Sequence, residues 1–324
     1  MLLVQTQNRI KRALANSAAG LDLIGQIDGG NYGTPYFVDP FVGSDSNDGR
    51  TWATAFLTMS AALSAVATGG FIYFRGNVRE QLVGSNLKFD ITIVGVGSLH
   101  HPDQPSSAYD PAGACWRAPA SATAATPLLE VRGRGWKFIN IMFAGVSDAA
   151  CVLLSRNALS DVSEYDASHA SFLGCRFVDG KYAIQDAGGC YNITVDECQF
   201  KAFTTAAIAN TSTAVANPLN WKILDSQFPA NTSSFGNATH IDSPLNCAVI
   251  SGNYFGTVTS TALYVDLTGG NTNMVTGNYM MGSYDTSDYV AGTGDGWSGN
   301  ITADISGNTA VDASGLTIAV PAAP

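Results

Sequence analysis

Residues 247–255 read CAVISGNYF, and residues 273–280 read NMVTGNYM. Both run apolar, Ser or Thr, Gly, Asn, Tyr, bulky apolar. Anchored on the closing bulky residue, the pattern extends through FINIMF (138–143), FLGCRF (172–177), VDECQF (195–200), ILDSQF (223–228), ISGNYF (250–255), VTGNYM (275–280) and ISGNTA (305–310). The closing residues lie 34, 23, 28, 27, 25 and 30 residues apart, too regular to be an accident of composition. ITIVGVGS at 91–98 reads as an earlier member.

A second apolar column falls between these segments: CVLLS (151–155), AIQD (183–186), AIAN (207–210), HID (240–242) and ALYVDL (262–267). Each period thus holds at least two short strands with turn residues between them. Short strands at such a period, without helical spacing, predict a coil of parallel strands. Leucine-rich repeats need a leucine spacing that is absent, and four-stranded propeller blades need a longer repeat. Stacked turns bring equivalent residues about 4.8 Å apart along the axis. The fourth position of the pattern then forms a ladder: Ile141, Cys175, Cys198, Ser226, Asn253, Asn278 and Asn308. Inward Asn at a bend can satisfy buried backbone groups and bond to the rungs above and below, which gives these residues a structural task. Cys175 and Cys198 stand one turn apart and are expected as stacked thiols, not a disulfide.

Composition agrees with such a coil. The 324-residue chain is 46% hydrophobic and only 13% charged, with 34 glycines, which suits many short strands and turns and not a helical bundle. Its net charge is −10 with 16 Lys plus Arg, so no nucleic-acid partner is expected. No apolar run approaches the ~20 residues of a membrane span, so no membrane partner is expected. At the start, Arg9, Lys11 and Arg12 follow the short apolar LLV where a secretory signal has its basic residues first, so cytoplasmic synthesis is expected. The six cysteines show no CxxC or Cys/His spacing of zinc sites, and no metal or other cofactor is expected.

Residues 36–83 sharpen the fold. VDPFVGSDSNDG reads as a strand and an Asp/Gly turn, TWATAFLTMSAALSAV as a short amphipathic helix, and GGFIYFRGNVREQL as a first turn of coil. Phe56, Met59, Ala62, Leu63 and Val66 share one face of that helix. In this order the pieces resemble the opening of right-handed parallel β-helix proteins of the pectin-lyase-like superfamily, in which a helix covers the open end of the coil. The resemblance implies an all-β solenoid over residues 35–310 with a capping helix at about 51–67; residues 1–34, outside the repeat, are expected as an N-terminal arm and 311–324 as a tail. The superfamily includes polysaccharide lyases, glycoside hydrolases, phage tailspikes and virion proteins without enzymatic activity, so it leaves function open. Asp39, Asp45 and Asp48 lack the ordered ligand spacing of a calcium loop and read as turn formers.

For catalysis, hydrolysis needs two carboxyl groups on an exposed face, and lyase chemistry needs a base with a cation. The second column offers Asp186, Asn210, Asp242 and Asp266, with His240 two residues before Asp242 and thus on the same face of an extended strand. Asp242, Asp266, Asp186 and His240 are the catalytic candidates. The reading that these are strand-end residues accepting backbone bonds is preferred to catalysis. The clustered Asp and Arg motifs of pectate lyases and polygalacturonases are not found. An acidic β-helix with an N-terminal arm and no clear catalytic cluster resembles structural proteins of tailed bacteriophages, and that resemblance implies a virion protein, a capsid decoration or short spike assembled in the host cytoplasm. It would attach to capsid or tail proteins through residues 1–34, with Val4, Ile10 and Leu14 as contact residues. The resemblance also implies a homo-oligomer, a trimer. The alternatives are a polysaccharide-degrading lyase or hydrolase, and a non-catalytic tailspike holding a host surface glycan through Trp297 and Tyr284.

Overall fold

The computed structural model describes residues 35–83, 88–97, 113–156, 166–211, 218–229, 239–256, 263–281 and 289–303. The arm at 1–34 with Val4, Ile10 and Leu14, the segment ISGNTA with Asn308, Tyr284, and the tail at 311–324 lie outside the described residues.

The described chain winds as a right-handed parallel β-helix. A ten-stranded parallel sheet collects one strand from each turn, from Tyr36–Val38 at one end to Gly296–Ser298 at the other. A second parallel sheet supplies two further columns. One runs from Gly76–Arg79 through Met142–Ala144 and Gln227–Phe228 to Ile301–Ala303. The other runs from Leu129–Val131 through Ala150–Leu154 and Thr239–Asp242 to Tyr289–Val290. The long strands Arg176–Asp186 and Gln199–Asn210 serve both columns, because a register shift between Gly180 and Tyr182 bends the chain without breaking the ladder.

Strand alternation sends every second side chain inward, and parallel register stacks like upon like. The first sheet contributes Ile93, Phe138, Phe172, Val195, Ile223, Ile250, Val275 and Trp297. The second contributes Phe143, Phe177, Phe200, Phe228 and Phe255, whose rings stack at 5.2, 5.1, 4.6 and 4.8 Å between centroids, close to the rung spacing. The third contributes Val152, Ile184, Ile208, Ile241, Val265 and Tyr289. All these residues are buried, forming one continuous core.

At the first corner a left-handed residue precedes each ladder residue: Asn140, Gly174, Glu197, Asp225, Gly252, Gly277 and Gly299 all have φ between 45 and 71°. The bend turns the next side chain inward, which is why the ladder exists. Asn253 Nδ2 donates to the Ile223 carbonyl one rung back (2.9 Å), while its Oδ1 accepts from Ser226 N (2.9 Å). Asn278 repeats this with Ile250 O (3.0 Å) and Asn253 N (3.0 Å). Ser226 Oγ accepts from Cys198 N (3.0 Å), and the Cys198 and Cys175 thiols donate to Phe172 O and Phe138 O (3.4 Å each). Both cysteines are free thiols.

The rung that follows VTGNYM differs from the expected one. After Met280 the paired residue is Thr302, only 22 positions on, within WSGNIT at 297–302. Asn300 therefore stands next to Asn278, accepting from Asn278 N (3.0 Å) and donating to Val275 O (3.0 Å). The strands Tyr289–Val290 and Gly296–Ser298 lead into this rung. Trp297, expected as an exposed aromatic, points inward at 6% exposure opposite Val275.

The cap helix runs Met59–Ala65, shorter than 51–67, with Trp52–Thr54 a separate 3-10 turn. Residues between them are extended because Phe56 bridges to Val38, and Thr58 then caps the helix by accepting from Ala61 N. Met59, Ala62, Leu63, Val66 and Phe56 are buried in the core. Glu80 accepts from Met59 N and Ser60 N (2.6 and 3.0 Å) at the helix start, and Lys88 donates to the Leu63, Ser64 and Val66 carbonyls at its end. Asp39, Asp45 and Asp48 accept backbone N–H bonds of the surrounding turn, and Asp39 also pairs with Arg75 (2.6 Å). Among the described residues no helix is long and apolar enough to cross a membrane.

Candidate functional site

Four side chains were expected together on the third column; the register separates them. Asp186 pairs with Asn210, whereas Asp242 pairs with Ala209 and with Asp266. The two pairs are one residue out of step, and a one-residue step reverses the face. Asp186 is fully buried, at 0% exposure. Its carboxylate accepts from Gly188 N (3.0 Å), Cys190 N (3.1 Å) and Asn210 Nδ2 (2.9 Å), and so anchors a turn. Burial pushes its proton affinity up against those bonds.

His240 also departs from the expected face. It is only 4% exposed and lies beside Phe228 (5.5 Å between centroids), Phe255 (5.8 Å) and Tyr264 (5.9 Å). Alternation fails here because the chain turns a corner: His240 and Ile241 are both buried, and only Asp242 faces out. His240 Nε2–H donates to the Gly256 carbonyl (2.9 Å), since a carbonyl can only accept. Burial holds the imidazole neutral, with its pKa lowered to about 4. A neutral imidazole walled in by aromatic rings is a packing residue.

Asp242 and Asp266 remain. They face outward on adjacent rungs, which sets their backbones about 4.8 Å apart. Asp242 is exposed, and partial desolvation followed by the neighbouring Asp266 raises its pKa. Asp266 accepts from Thr268 N (2.9 Å), which fixes its carboxylate in a turn. Two carboxyls on adjacent rungs are the kind of pair that retaining glycoside hydrolysis uses, at about 5–5.5 Å. No group of three or more His, Cys, Asp or Glu among the described residues is placed to hold a metal.

A second corner ladder escaped the sequence reading. Asn192, Asn220, Cys247 and Thr272 are left-handed just before strands of the first sheet, so the residue after each points inward. Asn273 Oδ1 accepts from Ala248 N (2.9 Å), Asn273 Nδ2 donates to Leu245 O (2.7 Å), and Asp295 Oδ1 accepts from Asn273 N (2.8 Å). The signal was faint because the inward position is Ile193, Trp221 and Ala248 on the preceding rungs.

No protein-family model matches the sequence, and no curated protein matches it. Solved structures do. An alginate lyase from Paenibacillus sp. str. FPU-7 superposes with a TM-score of 0.54 at 13% identity, over 82% of this chain and 87% of that one. The pectate lyase Pel9A superposes with a TM-score of 0.54 at 13% identity, over 87% of this chain and 74% of that one. ORF18 of Geobacillus virus E2 covers 90% of this chain and 66% of its own at 16% identity, with a TM-score of 0.43, too loose to argue from. At such identities the likeness concerns fold alone. The chain has the right-handed parallel β-helix fold of the pectin-lyase-like proteins.

Proposed function

We propose that this chain is a structural protein of a tailed-bacteriophage virion, a β-helical decoration or short spike that attaches through residues 1–34 and associates as a trimer. The observation that supports a scaffold is the fate of its corner polar groups. Ser226, Asn253, Asn278, Asn273, Asp186 and His240 are all taken up inside the coil, bonding backbone groups of their own or a neighbouring rung. Assignment to a virion rests on the resemblance of an acidic β-helix with an N-terminal arm and no clustered catalytic motif to structural proteins of tailed bacteriophages. The test is to isolate particles from a host producing the protein and identify their components by mass spectrometry, with light scattering of the purified chain for its oligomeric state. Co-purification with capsid or tail proteins, lost on deleting residues 1–34, is expected. A protein that stays in the soluble lysate would overturn the reading.

A second reading has one observation in its favour, the outward pair Asp242 and Asp266. On that reading the chain cleaves a polysaccharide, as the names of the alginate and pectate lyases say of those proteins. Depolymerisation of host surface glycan that disappears in Asp242→Ala would establish it in place of a purely structural role.

A further inference from the structure

We propose that residues 1–34 dock in cis along the outward face of the first sheet, over the row that runs from Tyr73 to Leu224. The register puts this row in line. Phe37 pairs with Tyr73, Tyr73 with Val94, Val94 with Ile139, Ile139 with Leu173, Leu173 with Asp196, and Asp196 with Leu224. From Tyr73 onward each stands one residue from an inward core position (Ile72, Ile93, Phe138, Phe172, Val195 and Ile223) and so points away from the core. An outward row on a coil of this kind should be wet. Here Tyr73 is 3% exposed, Val94 0%, Ile139 1%, Asp196 3% and Leu224 8%. Tyr73, Val94 and Ile139 form with Phe71 an apolar cluster separate from the inner core. Burial fades toward the far end, where Ser251 and Thr276 are half-buried and Ser298 is exposed.

Among the described apolar residues packed against the cluster, Phe37, Val96 and Leu173 belong to the first sheet or its strand ends, and Trp52 comes from elsewhere. Trp52 sits against Phe37 on the first rung, at 4.9 Å between centroids. Ile139 is three rungs further on, about 14 Å away, and Leu224 six rungs on, about 29 Å. Trp52 therefore reaches only the near end of the row.

Residues 1–34 fit the rest by place, reach and chemistry. They join the coil immediately before its first strand, Tyr36–Val38, where the row begins. The stretch from Tyr73 to Leu224 spans five rungs, about 24 Å, which about 16 helical or 7 extended residues can follow. Nine Leu, Ile or Val side chains lie between Leu2 and Ile27. Arg9, Lys11 and Arg12 precede the first acidic residue, Asp22. A buried carboxylate such as that of Asp196 calls for cations, so the stretch Arg9–Leu14 is placed beside Asp196 and its neighbour Leu173. Residues 98–112 also leave from this face, after Val96, but offer only Leu99 and Tyr109 as large apolar side chains and no Lys or Arg. The inference does not rest on the virion reading, because docking is read on the isolated protein. On that reading, attachment draws Val4, Ile10 and Leu14 off this face.

The test replaces Leu173, half-buried on the covered row, by the photo-crosslinker p-benzoylphenylalanine in the full chain and maps the adducts by mass spectrometry. An adduct within one chain, to a peptide from residues 1–34, is expected. The same replacement of Ser298, exposed at the far end of the row, should give no such adduct. In a second measurement Leu173→Cys is read in a Cys247→Ser background, which removes the exposed thiol. Adding Ile10→Asp and Leu14→Asp should speed its reaction with a thiol reagent about tenfold, with near-ultraviolet circular dichroism unchanged. Adducts to residues 98–112, adducts that join two chains, no adduct from position 173, or an unchanged thiol rate in the folded variant would each overturn the proposal.

Discussion

Replacing Asn278 by Ala removes the middle of the corner ladder. Its Oδ1 accepts from Asn253 N (3.0 Å) and Asn253 Nδ2 (3.0 Å), and its Nδ2 donates to Ile250 O (3.0 Å) and Asn300 Oδ1 (2.9 Å). Asn253 Nδ2 keeps its bond to Ile223 O, and Asn300 Oδ1 keeps the Asn278 N–H. One backbone group loses its partner, Asn253 N–H, while Ile250 C=O keeps its bond within the sheet, at a site where Asn278 is 1% exposed. An orphaned buried group costs about 1–3 kcal/mol, so the change should cost at least about that much. Asn278→Ser should recover part of this, because Ser226 accepts and donates at the same position two rungs earlier. Urea denaturation followed by circular dichroism reads the difference, with an unchanged slope marking an unchanged transition. A loss below about 0.5 kcal/mol, within the range of an ordinary surface change, would refute the idea that the ladder satisfies the corner backbone.

The pH response of stability is set in part by His240. Its folded pKa of about 4 lies below its ordinary value of 6.5, so the unfolded chain takes up the proton first. Its contribution is complete above pH 6.5 and falls by about 3 kcal/mol as pH drops toward 4. His240→Phe should be less acid-sensitive over that window, and parallel pH profiles of the two proteins would contradict the buried neutral imidazole. A thiol reagent under native conditions should modify one cysteine per chain, Cys247, which is exposed while the other five are buried. Burial lifts the Cys115 thiol to about 12, and Cys247→Ser should abolish the fast reaction. Gly252→Ala should destabilise more than Gly277→Ala: both have positive φ, but a Cβ at 252 would stand 2.3 Å from Asp225 Oδ1, while at 277 it meets nothing nearer than 4.0 Å. Melting temperatures compare them, and equal losses would mean that only backbone strain of about 1–2 kcal/mol matters.

The repeat was legible because stacking imposes identical demands on every rung. Phe143, Phe177, Phe200, Phe228 and Phe255 occupy one inward row, and sequence alone aligns them. The helix face at Met59, Ala62, Leu63 and Val66 was equally plain, since 3.6-residue spacing survives any uncertainty about its ends. Two things were not legible. Register within the third column depends on one residue, and Asp186 lay a single step out of line with Asp242, enough to send it to the opposite face. Corners defeat the period-two rule, which is how His240 came to be placed beside Asp242 when it belongs to the aromatic core. The rung after VTGNYM was hard to read because in WSGNIT Trp297 replaces the usual β-branched residue, while ISGNTA at 305–310 fits the sequence pattern more closely.

The most direct test of the central claim is a cryo-electron microscopy reconstruction of purified phage particles that carry this protein. The account predicts β-helical projections with rungs about 4.8 Å apart, joined to capsid or tail through residues 1–34. Particles that lack the chain, or that bear it with residues 1–34 free of any partner, would contradict it.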